Sequence, residues 1–176
     1  KDGSVRFEHS VLVPNALDDL PRIGVSFPLP EGFTMVSWWG NGPHECYPDR
    51  ESSAMLGIYS GEPDELPYLV PQEYGLRTQC RWFEASNPLT KEVIRIEAHG
   101  GPLHMSALPY TTQDLYQAAD QTELIKRPYL TMNIDIAHRG LGTASCGPDV
   151  LPKYRIQPGK FLFAYVVSRE SRGTNR

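Results

Sequence analysis

"YLTMNIDIAH", residues 129–138, is the stretch that decides the fold. Leu130, Met132, Ile134 and Ile136 fall at every second position, a period that gathers them on one face of a strand and would scatter them around a helix. The same period recurs on both sides. "SVRFEHSVLV" (4–13) aligns Val5, Phe7, Val11 and Val13; "RIGVSFPL" (22–29) aligns Ile23, Val25, Phe27 and Leu29; "KFLFAYVV" (160–167) aligns Phe161, Phe163, Tyr165 and Val167. Between them "FTMVSWW" (33–39), "MLGIYS" (55–60), "LRTQCRWFEA" (76–85), "EVIRIEAH" (92–99) and "PLHMSALPY" (102–110) complete about nine strand patterns. Gly and Pro punctuate the gaps in "LPEG", "NGPH", "GEPDELP", "SNPLT", "HGGP" and "QPGK".

Only "TTQDLYQAADQ" (111–121) reads as a helix, with Thr111 as N-cap and Asp114 three residues on, a capping box with Asp in place of Glu or Gln. The expected architecture is therefore all-β, an antiparallel β-sandwich with one short helix across an end of a sheet. No repeat, low-complexity tract or linker interrupts it, so residues 1–176 are read as a single domain.

Composition excludes several functions. The 176 residues carry 17 Lys and Arg against 21 Asp and Glu, a formal charge of −4, and the basic residues are scattered, so no nucleic-acid partner is expected. No apolar run approaches the roughly 18 residues of a membrane-spanning helix, and the first residues hold no signal-peptide core, so no membrane partner is expected either. Cys46, Cys80 and Cys146 are three in number and widely spaced, which argues against a disulfide framework or a zinc site and fits a reducing, cytoplasmic compartment.

Two stretches concentrate chemistry. In "WWGNGPHECYPDR" (38–50), Glu45 and Asp49 could supply the two carboxylates of a glycosidase, yet nothing in their spacing demands it. The alternative is a structural loop network, in which Glu45, Asp49, Arg50 and Arg77 pair with one another or with backbone to fix a corner. In "HRGLGTASCGPD" (138–149), glycines and small residues form a long loop of the kind that reaches ligands from a rigid β scaffold, with Cys146 in it. That thiol has no evident base beside it. The five histidines stand at no metal-ligand spacing, and no GxSxG elbow accompanies a serine. His9 and His138 share the parity of the apolar residues in their strands. Trp38, Trp39 and Trp82 could stack on sugar rings or fill the core.

Four motifs in order, "GNGPHECYPDR" (40–50), "PYLVPQEYGLRT" (67–78), "LTMNIDIAHRGLGTASCGPD" (130–149) and "YRIQPGKFLFAY" (154–165), closely resemble the C-terminal small-chain domain of family 2 β-galactosidases. The resemblance implies a galactose mutarotase-like supersandwich, of which this chain would lack the N-terminal strands. It implies a parent that is a retaining hydrolase of terminal β-D-galactosides such as lactose, with one glutamic acid protonating the leaving oxygen and a second attacking the anomeric carbon. Both glutamates would lie in a TIM barrel of the parent, so the chain alone is expected to be inactive, a scaffold and rim with no catalytic residue of its own. Magnesium and a monovalent cation are implied for the full-length parent, with the carbonyls of Val70 and Pro71 as the one candidate cation contact here and no other cofactor in this segment. The implied partners are the barrel, a β-galactoside or galactose, and further copies of the full-length chain.

In the resembling family a tryptophan in the loop matching "GTASCGPD" stacks near substrate. Here that position is Cys146, beside Ser145, and the acidic pair often found just before it is replaced by Thr143 and Ala144. Cys146 and Ser145 are thus the candidate substrate-rim residues, with a more open aglycone side than an aromatic face would leave. Two other readings remain: a noncatalytic carbohydrate-binding sandwich, and a mutarotase-like sugar epimerase, for which His138 with Glu45 is the candidate pair.

Overall fold

The computed structural model describes residues 3–63, 68, 70–143 and 146–171. Among them ten strands form two antiparallel sheets. The six-stranded sheet has the order β1 (Val5–Val13), β10 (Gly159–Ser171), β7 (Glu92–His99), β6 (Trp82–Ser86), β3 (Met35–Gly42), β4 (Met55–Gly61). The four-stranded sheet has the order β2 (Arg22–Pro28), β9 (Thr131–His138), β8 (Leu103–Leu108), β5 (Arg77–Cys80). Their facing sides interdigitate in one core, with Val36, Trp38, Phe83, Ile94, Ile96, Phe163 and Tyr165 from the first sheet against Met105, Leu130, Met132 and Ile134 from the second. This is the antiparallel sandwich that the alternating pattern predicts.

The stretch "LRTQCRWFEA" is two strands rather than one. Gln79 has a left-handed backbone (φ 58°), and the pairing of β5 with β8 shifts register between Arg77 and Cys80. Arg81 already bonds across the other sheet, donating its N–H to the Trp39 carbonyl at 2.8 Å and accepting from Ala98 at 2.8 Å. The chain thus passes from one sheet to the other within a residue or two, as strands at sandwich corners do.

The one α-helix among the described residues, α1 (Thr112–Gln117), starts where the capping box predicts: the Asp114 amide donates to the Thr111 hydroxyl at 3.1 Å, and the Thr111 amide donates to the Asp114 carboxylate at 2.9 Å. Arg127 holds the same carboxylate and keeps it well below the usual range. Leu115 packs with Tyr74, Leu108 and Tyr110, which seats the helix beyond the end of β8. Two 3-10 turns, Gln121–Glu123 and Pro152–Tyr154, have no counterpart in the expected elements.

β9 is buried on both faces. Met132 and Ile134 enter the core, while Thr131, Asn133 and Asp135 are buried on the opposite side. A third layer covers that side: Glu73, from the extended segment before β5, pairs with Arg22 at 2.7 Å, and Tyr47 and Tyr74 close over Ser106 and His138. Tyr47 comes from the loop after β3, and Glu73 and Tyr74 from the segment between β4 and β5, so the fold brings the 38–50 corner over the end of β9.

Candidate functional site

The corner begins where β3 ends. Tyr47 and Arg50 exchange backbone hydrogen bonds of 3.2 and 2.8 Å, which folds the four residues 47–50 into a tight loop. Tyr47 is buried, and burial lifts its phenol far above its ordinary range. Glu45 accepts from the Arg50 guanidinium, from the Tyr68 phenol, and from the Gly75 amide at 2.7 Å. All of these partners are donors, an arrangement that fixes the carboxylate in one orientation. Arg77 makes no ion pair with the others; its guanidinium lies 4.5 Å over the Trp38 ring and donates to the Leu76 carbonyl at 3.3 Å. Burial lowers its pKa.

Asp49 is engaged differently. Its two oxygens accept separately from the amides of Leu141 (2.9 Å) and Gly142 (2.7 Å), in the glycine-rich loop after β9. The two stretches singled out in the sequence are therefore one assembly. Gly140 is required here, since a Cβ on it would lie 2.6 Å from the Asp49 carboxyl carbon. Gly142 has φ +65°, and a Cβ there would lie 2.7 Å from the Val150 amide.

A second anchor holds the other side of the loop. Arg139 forms paired hydrogen bonds to Asp19 (2.7 and 3.0 Å) and to Asp149 (2.8 and 2.7 Å), and Arg155 adds a 3.2 Å bond to Asp149. The guanidinium of Arg139 holds both carboxyls below their ordinary range. Thr143 closes the loop with backbone and side-chain bonds to the Pro148 carbonyl, and the Cys146 amide donates to the Thr143 carbonyl at 2.9 Å. Cys146 is exposed at the tip. Ser145 and Ala144 lie outside the described residues.

Other candidates are not brought together. A register shift between Ile23 and Gly24 pairs Ile23 with Ala137 and Gly24 with Asp135, leaving Ile136 as the extra residue of a bulge. His138 is thereby turned from the apolar face expected of it and meets the Tyr47 ring edge-on at 5.5 Å. Its Nδ1 is 2.8 Å from the Arg139 carbonyl, and burial lowers its pKa; no hydrogen bond or ion pair joins it to Glu45. Trp38 is in the core, Trp82 lies under the Arg95 guanidinium at 4.4 Å, and Trp39 is half exposed beside Arg81. Val70 is exposed and Pro71 buried, next to residues outside the described set. No group of three or more His, Cys, Asp or Glu side chains among the described residues is arranged to hold a metal.

The anchor Asp19–Arg139–Asp149–Arg155 was not singled out from sequence. Its members are up to 136 residues apart and follow no period, although Arg139 and Asp149 do flank the loop.

A family model described as "Beta galactosidase small chain" matches residues 1–167. The chain is 37% identical over 155 residues to a β-galactosidase of Arthrobacter sp. (strain B7), covering 84% of this chain and 15% of that protein. It is 34% identical over 166 residues to a β-galactosidase of Vibrio cholerae serotype O1, covering 89% and 15%, and 34% identical over 174 residues to one of Aeromonas hydrophila, covering 95% and 16%. The chain thus spans about 15% of the length of these curated relatives.

Proposed function

Because the chain belongs to the β-galactosidase small-chain family, we propose that it works as one domain of a β-galactosidase, as scaffold and as part of the active-site rim. The parent is a retaining glycoside hydrolase that cleaves terminal β-D-galactosides. Its acid and its nucleophile lie in a barrel domain outside these 176 residues, as does its magnesium site, and the parent works as a cytoplasmic homo-oligomer. A monovalent cation meets this domain at the carbonyls of Val70 and Pro71.

The observation that carries the reading is the doubly anchored loop with exposed Cys146 at its tip. Its base is fixed by Asp49 on one side and Arg139 on the other, and Cys146 is exposed. A surface loop with so defined a base suits a rim that meets substrate. Against catalysis within the chain, Glu45 is locked by three donors and Asp49 by two amides.

The test is the purified 176-residue chain, its fold checked by near-ultraviolet circular dichroism, incubated with a chromogenic β-galactoside. No turnover is expected, and turnover would overthrow the scaffold reading. Titrating galactose into the same sample by calorimetry separates a rim from a binding module, since saturable heat belongs to the latter.

A further inference from the structure

We propose that Asp49 is a positioning residue for the rim loop, and that through the loop it sets how the parent enzyme discriminates among the aglycones of its galactosides. This rests on the reading of residues 140–150 as part of the rim.

The physical need is clear from the loop's composition. Gly140, Gly142 and Gly147 leave its backbone with far more conformations than one rim geometry can use. Two consecutive amides converge on one carboxylate, one on each oxygen, which fixes both the distance and the twist of the backbone there. Hydrogen bonds to a charged acceptor are about twice as strong as neutral ones, so the grip outweighs what a neutral side chain would give.

The fit runs both ways. The carboxyl group occupies the space that a side chain at residue 140 would need, and the left-handed Gly142 turns its amide toward the second oxygen. Asp49 is itself held, between Tyr47, which is buried, and Arg50, whose backbone bonds to Tyr47 close the corner. The corner is thus a clamp whose jaw is one side chain. Its partner in the loop is backbone only, so the clamp can set the conformation of the loop whatever side chains the tip presents.

Asp49→Asn keeps the size of the side chain but offers only one acceptor oxygen, and turns an amide N–H₂ toward an N–H donor. Losing one charge-assisted bond at a positioned element corresponds to roughly ten- to a hundredfold in an equilibrium or rate, with the lower end expected where the amide can find water instead. In a retaining hydrolase the first step expels the aglycone and the second, attack of water on the galactosyl-enzyme, no longer contains it. A change confined to the aglycone side therefore moves kcat/KM unequally across substrates.

The experiment uses the full-length parent enzyme, with Asp49→Asn and with Gly140→Ala, which presses a methyl against the same carboxylate. Hydrogen exchange of the peptide covering 140–150 reads the loop, and kcat/KM for methyl, aryl and glucosyl β-galactosides reads selectivity. Expected are about tenfold faster exchange at Leu141 and Gly142 and a ratio of kcat/KM between aglycones that shifts about fivefold, with degalactosylation unchanged. Unchanged exchange in both variants overturns the positioning role, whatever the rim does. Faster exchange with an unchanged ratio overturns the selectivity proposal by removing the rim reading instead, so the two failures are distinguishable.

Discussion

Arg22 and Asp135, on neighbouring strands of the smaller sheet, share hydrogen bonds of 3.1 and 2.5 Å at a point where the aspartate is wholly buried. Burial pushes the carboxyl up to about 6, from an ordinary value of 3.8, with Arg22 pulling the other way. Between those values the folded chain holds a proton that the unfolded chain releases. The stabilisation from this group is therefore fully present below pH 3.8, falls as pH rises to about 6, and is level above. Urea unfolding of wild type and Asp135→Asn across this window should show their difference change by roughly 3 kcal/mol in that direction. A difference independent of pH would contradict it.

The three thiols should react unequally. Cys46 and Cys80 are buried, and burial pushes Cys80 up to about 12, whereas Cys146 is exposed. A chromogenic disulfide reagent is expected to titrate one thiol in the folded chain and three after denaturation. More than one fast thiol in the folded state would show that the corner or β5 opens readily.

Two isoleucines of the same pattern should differ in energy. Ile134 sits in the core between the sheets, and Ile58 is exposed on the edge strand β4. Ile134→Ala is expected to cost about 2–5 kcal/mol and Ile58→Ala less than about 0.5 kcal/mol, measured by denaturant unfolding. Comparable losses would mean that β4 is covered in solution.

Restoring an aromatic at the loop tip tests the rim in the full-length enzyme. Cys146→Trp should lower KM for aryl galactosides about two- to tenfold, the range of one added stacking contact. An unchanged KM across several galactosides would remove Cys146 from the aglycone side.

The sheets were legible because alternation is a local property: Leu130, Met132 and Ile134 announce their face without reference to any other strand. The capping box at Thr111 was legible for the same reason. The break at Gln79 was not, since a left-handed glutamine leaves no mark in a run that otherwise alternates. His138 was assigned to the wrong face because a bulge at Ile136 flips every later residue, and bulges are set by cross-strand pairing. Both functional stretches stood out by composition, yet the bond from Asp49 to Leu141 and Gly142 spans over ninety residues and exists only once β3 and β9 have been folded into place.

The two anchors of the loop come from different layers of the sandwich. Asp49 follows β3 of the larger sheet, while Arg139 follows β9 of the smaller. The chain from the larger sheet thus crosses over the end of β9 to meet the loop that leaves the smaller one. The sheets are themselves joined at Arg81, one residue after Cys80 of β5, where the chain crosses directly from one to the other. Rigidity of the whole sandwich, rather than stiffness of the glycine-rich segment itself, is what can give its tip a fixed position.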